Sequence, residues 1–99
     1  MTRIVFTPRI QEDLRRFLLH MVEFEVPDGQ SRIQRIVQAI NILDDNPRIG
    51  RPAEKGRREL IIGKAPHGYV ALYRYAPAID VVYILAIRHQ REAGYRLRE

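Results

Sequence analysis

Asp80-Val81-Val82-Tyr83-Ile84-Leu85-Ala86-Ile87-Arg88 alternates like a strand, but both alternating sets are apolar. Val81, Tyr83, Leu85 and Ile87 form one set, and Val82, Ile84 and Ala86 form the other until Arg88 ends it. A strand that is apolar on both faces needs cover on both, so this stretch reads as the central strand of a sheet. Working back from it, Ala76-Pro77-Ala78 is a turn and residues 69–75 form a second strand. Turn formers between Gly63 and Gly68 then separate it from a third strand at Arg58 to Ile62. Connections this short make the three strands an antiparallel meander. Tyr69, Tyr73 and Tyr75 share one strand face by the two-residue period, where packing beneath helices accounts for them better than base stacking.

Further back, residues 47–57 hold Pro47, Gly50, Pro52 and Gly56 with Arg48, Arg51, Lys55 and Arg57, and read as a cationic loop. Two helices precede it. In the first, Thr7 is the expected cap and Pro8 the first helical residue. Ile10, Leu14, Phe17, Leu18, Met21 and Val22 form its apolar stripe, with Glu12, Asp13, Arg15, Arg16 and Glu23 opposite. The second is expected to be capped by Asp28, to carry Ile33, Ile36, Val37, Ile40 and Leu43 inward, and to stop at Asn46-Pro47. A short β-like stretch, Arg3 to Phe6, opens the chain. The expectation is one α+β domain over residues 1–99: an N-terminal strand, a helical hairpin, then a three-strand antiparallel meander.

Ninety-nine residues leave room for one core only. With no cysteine, and with His20, His67 and His89 far apart in sequence, neither disulfides nor a zinc site are expected, and no cofactor is implied. The longest apolar run, Val81 to Ile87, is too short to span a bilayer, and the N-terminus lacks a signal-like apolar region, so a cytoplasmic protein without membrane contact is expected. The net charge of +5 is uneven. Residues 1–46 carry six Arg against seven acids, −1, whereas residues 47–99 carry eleven Lys or Arg against five acids, +6. The basic half fits contact with nucleic acid or an acidic protein, and equally a solvated surface.

The element order, with Asn46-Pro47-Arg48-Ile49-Gly50-Arg51-Pro52, Arg58-Glu59-Leu60, Gly68-Tyr69-Val70-Ala71-Leu72-Tyr73-Arg74 and Ile87-Arg88-His89-Gln90-Arg91, resembles the RelE/ParE superfamily of type II toxins, on the ParE side. The likeness spans almost the whole chain. It implies a toxin neutralised by a ParD-like antitoxin that folds as it wraps the toxin, in a hetero-oligomeric complex. ParE-like members inhibit DNA gyrase by binding; RelE-like members cut messenger RNA on the ribosome; a third alternative keeps the fold and the partnership without toxicity.

Metal-free RNA cleavage needs a base for the 2′-hydroxyl, cations for the phosphate and a proton donor for the leaving oxygen. RelE-like toxins place two lysines on the strand here at Arg58 to Ile62, and an arginine just after the next Gly-Tyr. Those positions hold Glu59, Ile61 and Val70, so the resemblance leans away from an enzyme. Were the chain a nuclease, His89, Arg91 and Tyr95, with Glu59, would be its catalytic set. Candidate contacts to target or antitoxin are Arg48, Arg51, Lys55, Arg57, Arg58, Arg74, Arg88, His89 and Arg91. The competing reading makes His89 structural and pairs Glu59 with Arg74 or Arg88 across the sheet.

Overall fold

A computed structural model of the chain describes residues 1–64 and 67–95, so the turn residues Ala65 and Pro66 and the last four of the tail lie outside the described residues. The element order is β1 (Arg3–Phe6), α1 (Pro8–Glu23), α2 (Gly29–Ile40), a 3₁₀ turn (Asn41–Asp44), β2 (Arg51–Pro52), a second 3₁₀ turn (Glu54–Gly56), β3 (Arg58–Ile62), β4 (Tyr69–Ala76) and β5 (Val81–His89). The sheet order is β1-β5-β4-β3-β2. The meander expected from the sequence is present, with β3–β4 and β4–β5 antiparallel. β1 lies parallel to β5 on its other side, so β5 is a central strand.

Both helices cover one face of this sheet. Ile10, Phe17 and Met21 of α1 and Ile36 and Ile40 of α2 join Ala71, Tyr73, Val82, Ile84 and Ile87 in one buried cluster, with Tyr69 and Tyr75 packed at its margin. Burying an aliphatic side chain of this kind is worth about 1.5–3 kcal/mol, so the stripe is what holds each helix to the sheet. Val22, expected in that stripe, is instead 68% exposed. Asp13, expected on the opposite, polar face, instead turns inward: it falls at the right spacing between Ile10 and Phe17 and is 2% exposed.

The helix starts differ from expectation. Pro8 is the first helical residue, but the Thr7 hydroxyl donates to the Ile84 carbonyl at 2.7 Å rather than capping α1, which ties the helix to the sheet. Asp28 precedes α2 in a left-handed conformation, φ 60°, and its side chain makes no cap.

The loop of residues 47–57 is more ordered than its composition indicates. Arg51 and Pro52 pair with Glu59 and Arg58 as an edge strand. The Gly50 amide donates to the Tyr73 hydroxyl at 2.9 Å. A Cβ at Gly50 would stand 2.7 Å from the Tyr73 ring and 2.8 Å from the Glu59 carbonyl, so glycine is required for the loop to lie so close.

β5 carries the decisive irregularity. Leu72 pairs with Ala86 but Tyr73 with Ile84, which leaves Leu85 without a partner as a β-bulge. The simple alternation read from the sequence therefore fails past Ile84. Ile87 joins Val82 and Ile84 on the helix-covered face, and Arg88 and His89 exchange sides accordingly. β1 ends opposite Ile84, so the Ile87 amide has no strand beside it; the Asp13 carboxylate accepts that hydrogen bond at 2.9 Å.

Burial raises the Asp13 pKa, opposed by the Ile87 amide and by Arg16. A carboxyl whose folded pKa is raised binds its proton more tightly in the folded state, so its ionisation opposes folding at neutral pH. Against Asp13→Asn, the wild type should gain stability as pH falls through that raised value and level off near the ordinary carboxyl value, measured by urea unfolding at each pH. Asp13→Ala, which leaves the Ile87 amide unpaired, should cost about 1–3 kcal/mol at any pH.

Candidate functional site

On the face of the sheet away from the helices, β2, β3 and β5 bring Arg51, Glu59 and Arg88 together, and the chain after β5 returns to add Tyr95. The Arg51 Nε donates to Glu59 Oε1 at 2.9 Å, and the Tyr95 hydroxyl donates to Glu59 Oε2. Arg88 Nη2 lies 3.9 Å from the same carboxylate, and its guanidinium sits 5.2 Å over the Tyr95 ring. Burial alone would raise the Glu59 pKa, but the hydrogen bonds from Tyr95 and Arg51 and the Arg51 and Arg88 charges outweigh it and hold the carboxyl below its ordinary value. Burial and the Glu59 carboxylate push the Tyr95 phenol well above the ordinary range. At neutral pH the pair is thus an ionised carboxylate and a protonated phenol.

Several expected contact residues are engaged in holding backbone. Arg88 Nη1 donates to the carbonyls of His89, Gln90 and Glu92 at 3.3, 3.4 and 3.1 Å, which folds the tail back toward the sheet. Arg58 Nη1 holds the carbonyls of Arg48 and Gly50, Arg57 holds that of Glu54, and Arg74 holds that of Lys55. Glu59 therefore meets Arg51 and Arg88, and Arg74 goes to the loop instead. Arg48 stacks over Tyr75 at 4.9 Å, and Lys55 stands exposed in a left-handed turn, φ 60°. The loop is thus built by its own arginines, and its free cationic surface is smaller than its composition implies.

His89 does not join this cluster. It pairs across the sheet with Tyr69, edge-on at 5.2 Å, and Tyr69 in turn packs on Phe17 of α1 at 4.9 Å. The imidazole therefore faces the helix side, while Glu59, Arg88 and Tyr95 face the other. Its Nδ1 accepts from the Arg91 amide at 3.3 Å, so that nitrogen is unprotonated. Burial, then Arg91, press the imidazole below its usual pKa, with Glu92 opposing and His67 and His20 adding to the effect.

His20 and His67 line the same groove as His89, between α1 and the ends of β4 and β5, so the chain's three histidines converge there despite their separation in sequence. Among the described residues no group of three or more His, Asp or Glu is arranged to hold a metal ion. Nor is any helix there long and apolar enough to cross a membrane. Sequence reading missed Asp13 as a structural acid, although its spacing from Ile10 and Phe17 was a usable signal. The convergence of the histidines had no sequence signal.

A mixed five-strand sheet under one helical hairpin, with an arginine-built loop and a tail tied back to the sheet, defines a small α+β domain of the RelE/ParE type. The pattern of the family described as "ParE toxin of type II toxin-antitoxin system, parDE" matches residues 4–94. The chain belongs to this ParE toxin family and is a toxin of a type II toxin–antitoxin system. It is 34% identical over 96 residues to Toxin RelE3 of Caulobacter vibrioides, covering 93% of this chain and 98% of that protein. A chain of the chromosomal ParDE TA system from P. aeruginosa superposes with a TM-score of 0.73 at 26% identity, covering 90% of this chain and 96% of that one. The RelBE2 complex of Mycobacterium tuberculosis gives 0.64 at 24% identity, covering 89% and 96%, a likeness of fold.

Removing the Tyr95 hydroxyl isolates its part in the cluster. In Tyr95→Phe the Glu59 carboxyl should titrate at a higher pH than in the wild type, followed by carboxyl-carbon NMR. An unchanged midpoint would mean that the arginines alone set it.

Proposed function

We propose that this toxin acts by binding a protein target, DNA gyrase, without chemistry of its own, and that a cognate antitoxin neutralises it. The observation that carries the reading is the separation of the would-be catalytic groups. A nuclease of this class needs its base, its acid and its phosphate-holding cations around one phosphate. Here His89 faces the helices, while Glu59 and Tyr95 bond each other on the opposite face. The positions at which RNA-cutting relatives carry cations hold Glu59, Ile61 and Val70, and an ionised glutamate repels a phosphate. The ParE family pattern and the likeness to a chain of the ParDE toxin–antitoxin system of P. aeruginosa point the same way, and the latter supports an antitoxin partner.

One observation favours a second reading, cleavage of messenger RNA on the ribosome. Toxin RelE3 of Caulobacter vibrioides carries the name of the RNA-cutting branch. On that reading His89, Arg91 and Tyr95 with Glu59 would do the chemistry after the tail moves.

The two readings separate in growing cells. Pulse labelling after brief induction without antitoxin should show an early, selective fall in DNA synthesis, and purified toxin should inhibit gyrase supercoiling. His89→Ala and Tyr95→Phe should remain toxic. An early fall in protein synthesis, with loss of toxicity in both variants, would replace the gyrase reading with the nuclease.

A further inference from the structure

The His89 imidazole sits where a further positive charge is unwelcome. Arg16 and His20 of α1, Arg32 of α2, His67 of the β3–β4 turn and Arg91 of the tail line one groove with it. Tyr69 of β4 meets the ring edge-on, and Glu92 is the one acid among the described residues of that lining. Glu92 is already engaged, since its Oε1 lies 2.9 Å from Arg16 Nη1 and accepts from the His89 amide at 3.0 Å.

The neutral ring also has a structural task. Its Nδ1 accepts from the Arg91 amide at 3.3 Å, and the Glu92 amide donates to the His89 carbonyl at 3.0 Å, so residues 89–92 close a turn directly after β5. An imidazolium is a donor at both nitrogens and cannot accept the Arg91 bond. One proton therefore removes that bond and adds a charge close to the Arg91 guanidinium.

The turn is gripped from the other face of the sheet as well. Arg88 Nη1 alone serves the carbonyls of His89, Gln90 and Glu92, at 3.1–3.4 Å, which is possible only while the turn gathers them. Past the turn the chain reaches Tyr95, whose hydroxyl bonds Glu59 and whose ring lies under Arg88. Arg88 keeps its charge at every physiological pH. Of the two neighbouring residues that hold the turn, His89 is the one that titrates near neutrality.

We propose that His89 is a proton-operated latch on the tail: the neutral ring closes the turn over residues 89–92, and the protonated ring releases it, loosens Tyr95 from Glu59 and uncovers the face of the sheet opposite the helices. Burial and Arg91, which press the imidazole below its usual pKa, are the same strain seen from the proton's side. Because the closed state binds this proton less tightly than the open one, closure is complete above about pH 6.5 and weakens as pH falls below it. The latch governs access to the Glu59 face whichever target the toxin takes.

The test is NMR of the purified full chain, titrated from about pH 7.5 to about pH 4.5, with the His89 ring-carbon shift reporting the imidazole charge. Backbone order parameters of residues 91–95 should fall from about 0.8 to below about 0.6, while amides of β3, β4 and β5 stay ordered. The midpoint should coincide with the His89 titration, and the Glu59 carboxyl-carbon shift should move with it as Tyr95 leaves. His89→Asn presents an amide oxygen in the place of Nδ1 and cannot be charged, so its tail should remain ordered throughout. His89→Lys, charged throughout, should be loose even at neutral pH. His20→Gln with His67→Gln removes two imidazoles that disfavour the charged ring, and should move the midpoint upward without abolishing it.

A tail that stays ordered in the wild type after the ring-carbon shift shows His89 charged would overturn the proposal. So would acid loosening that persists in His89→Asn, which would assign the transition to another group, with Asp13 the first to examine.

Discussion

The fold turns on the hydrogen bond between the Asp13 carboxylate and the Ile87 amide. β5 is paired on both sides only as far as Ile84, because β1 is four residues long. Beyond that point its outer edge needs a substitute acceptor inside the protein, where an unpaired amide is costly. Helix α1 supplies it with an acid placed among its own apolar residues. The bond anchors α1 beside the part of β5 that follows the bulge, where the side chains on either side of the sheet are reassigned.

The bulge at Leu85 sets the arrangement of everything downstream. With Ile87 returned to the core, Arg88 emerges opposite the helices and His89 emerges beneath them. Arg88 then reaches Glu59 and the tail carbonyls, and so brings Tyr95 over the sheet. His89 meets Tyr69 and the groove wall. A strand without the extra residue would have placed Arg88 against the helices and His89 near Glu59, which is the arrangement a nuclease built from these residues would require.

The cationic loop illustrates why composition is a poor guide to surface chemistry. Its arginines and those of the adjacent strands form bonds mainly with carbonyls and with Glu59, since a Pro- and Gly-rich segment lacks partners for its own backbone acceptors. Guanidinium groups, with five donors in a fixed plane, satisfy them while remaining near the surface. The positive charge is still there, but much of it is held in place for structure. The less conspicuous pair, Arg32 and Arg91, lies 59 positions apart in the chain yet shares one groove with all three histidines.

The sequence by itself determined the elements of the meander, the two helices, the shared face of Tyr69, Tyr73 and Tyr75, and the family, because each rests on local periodicity, turn residues or motif order. The resemblance also implied that Glu59, Ile61 and Val70 occupy the positions at which RNA-cutting members carry cations. Tertiary structure decided the parallel pairing of β1 with β5, the inward turn of Asp13, the role of Thr7, and the division of His89 from Glu59 and Tyr95. The reason is common to all four. Each depends on which distant backbone groups are left without a partner once the sheet is assembled, and a linear pattern carries no record of that.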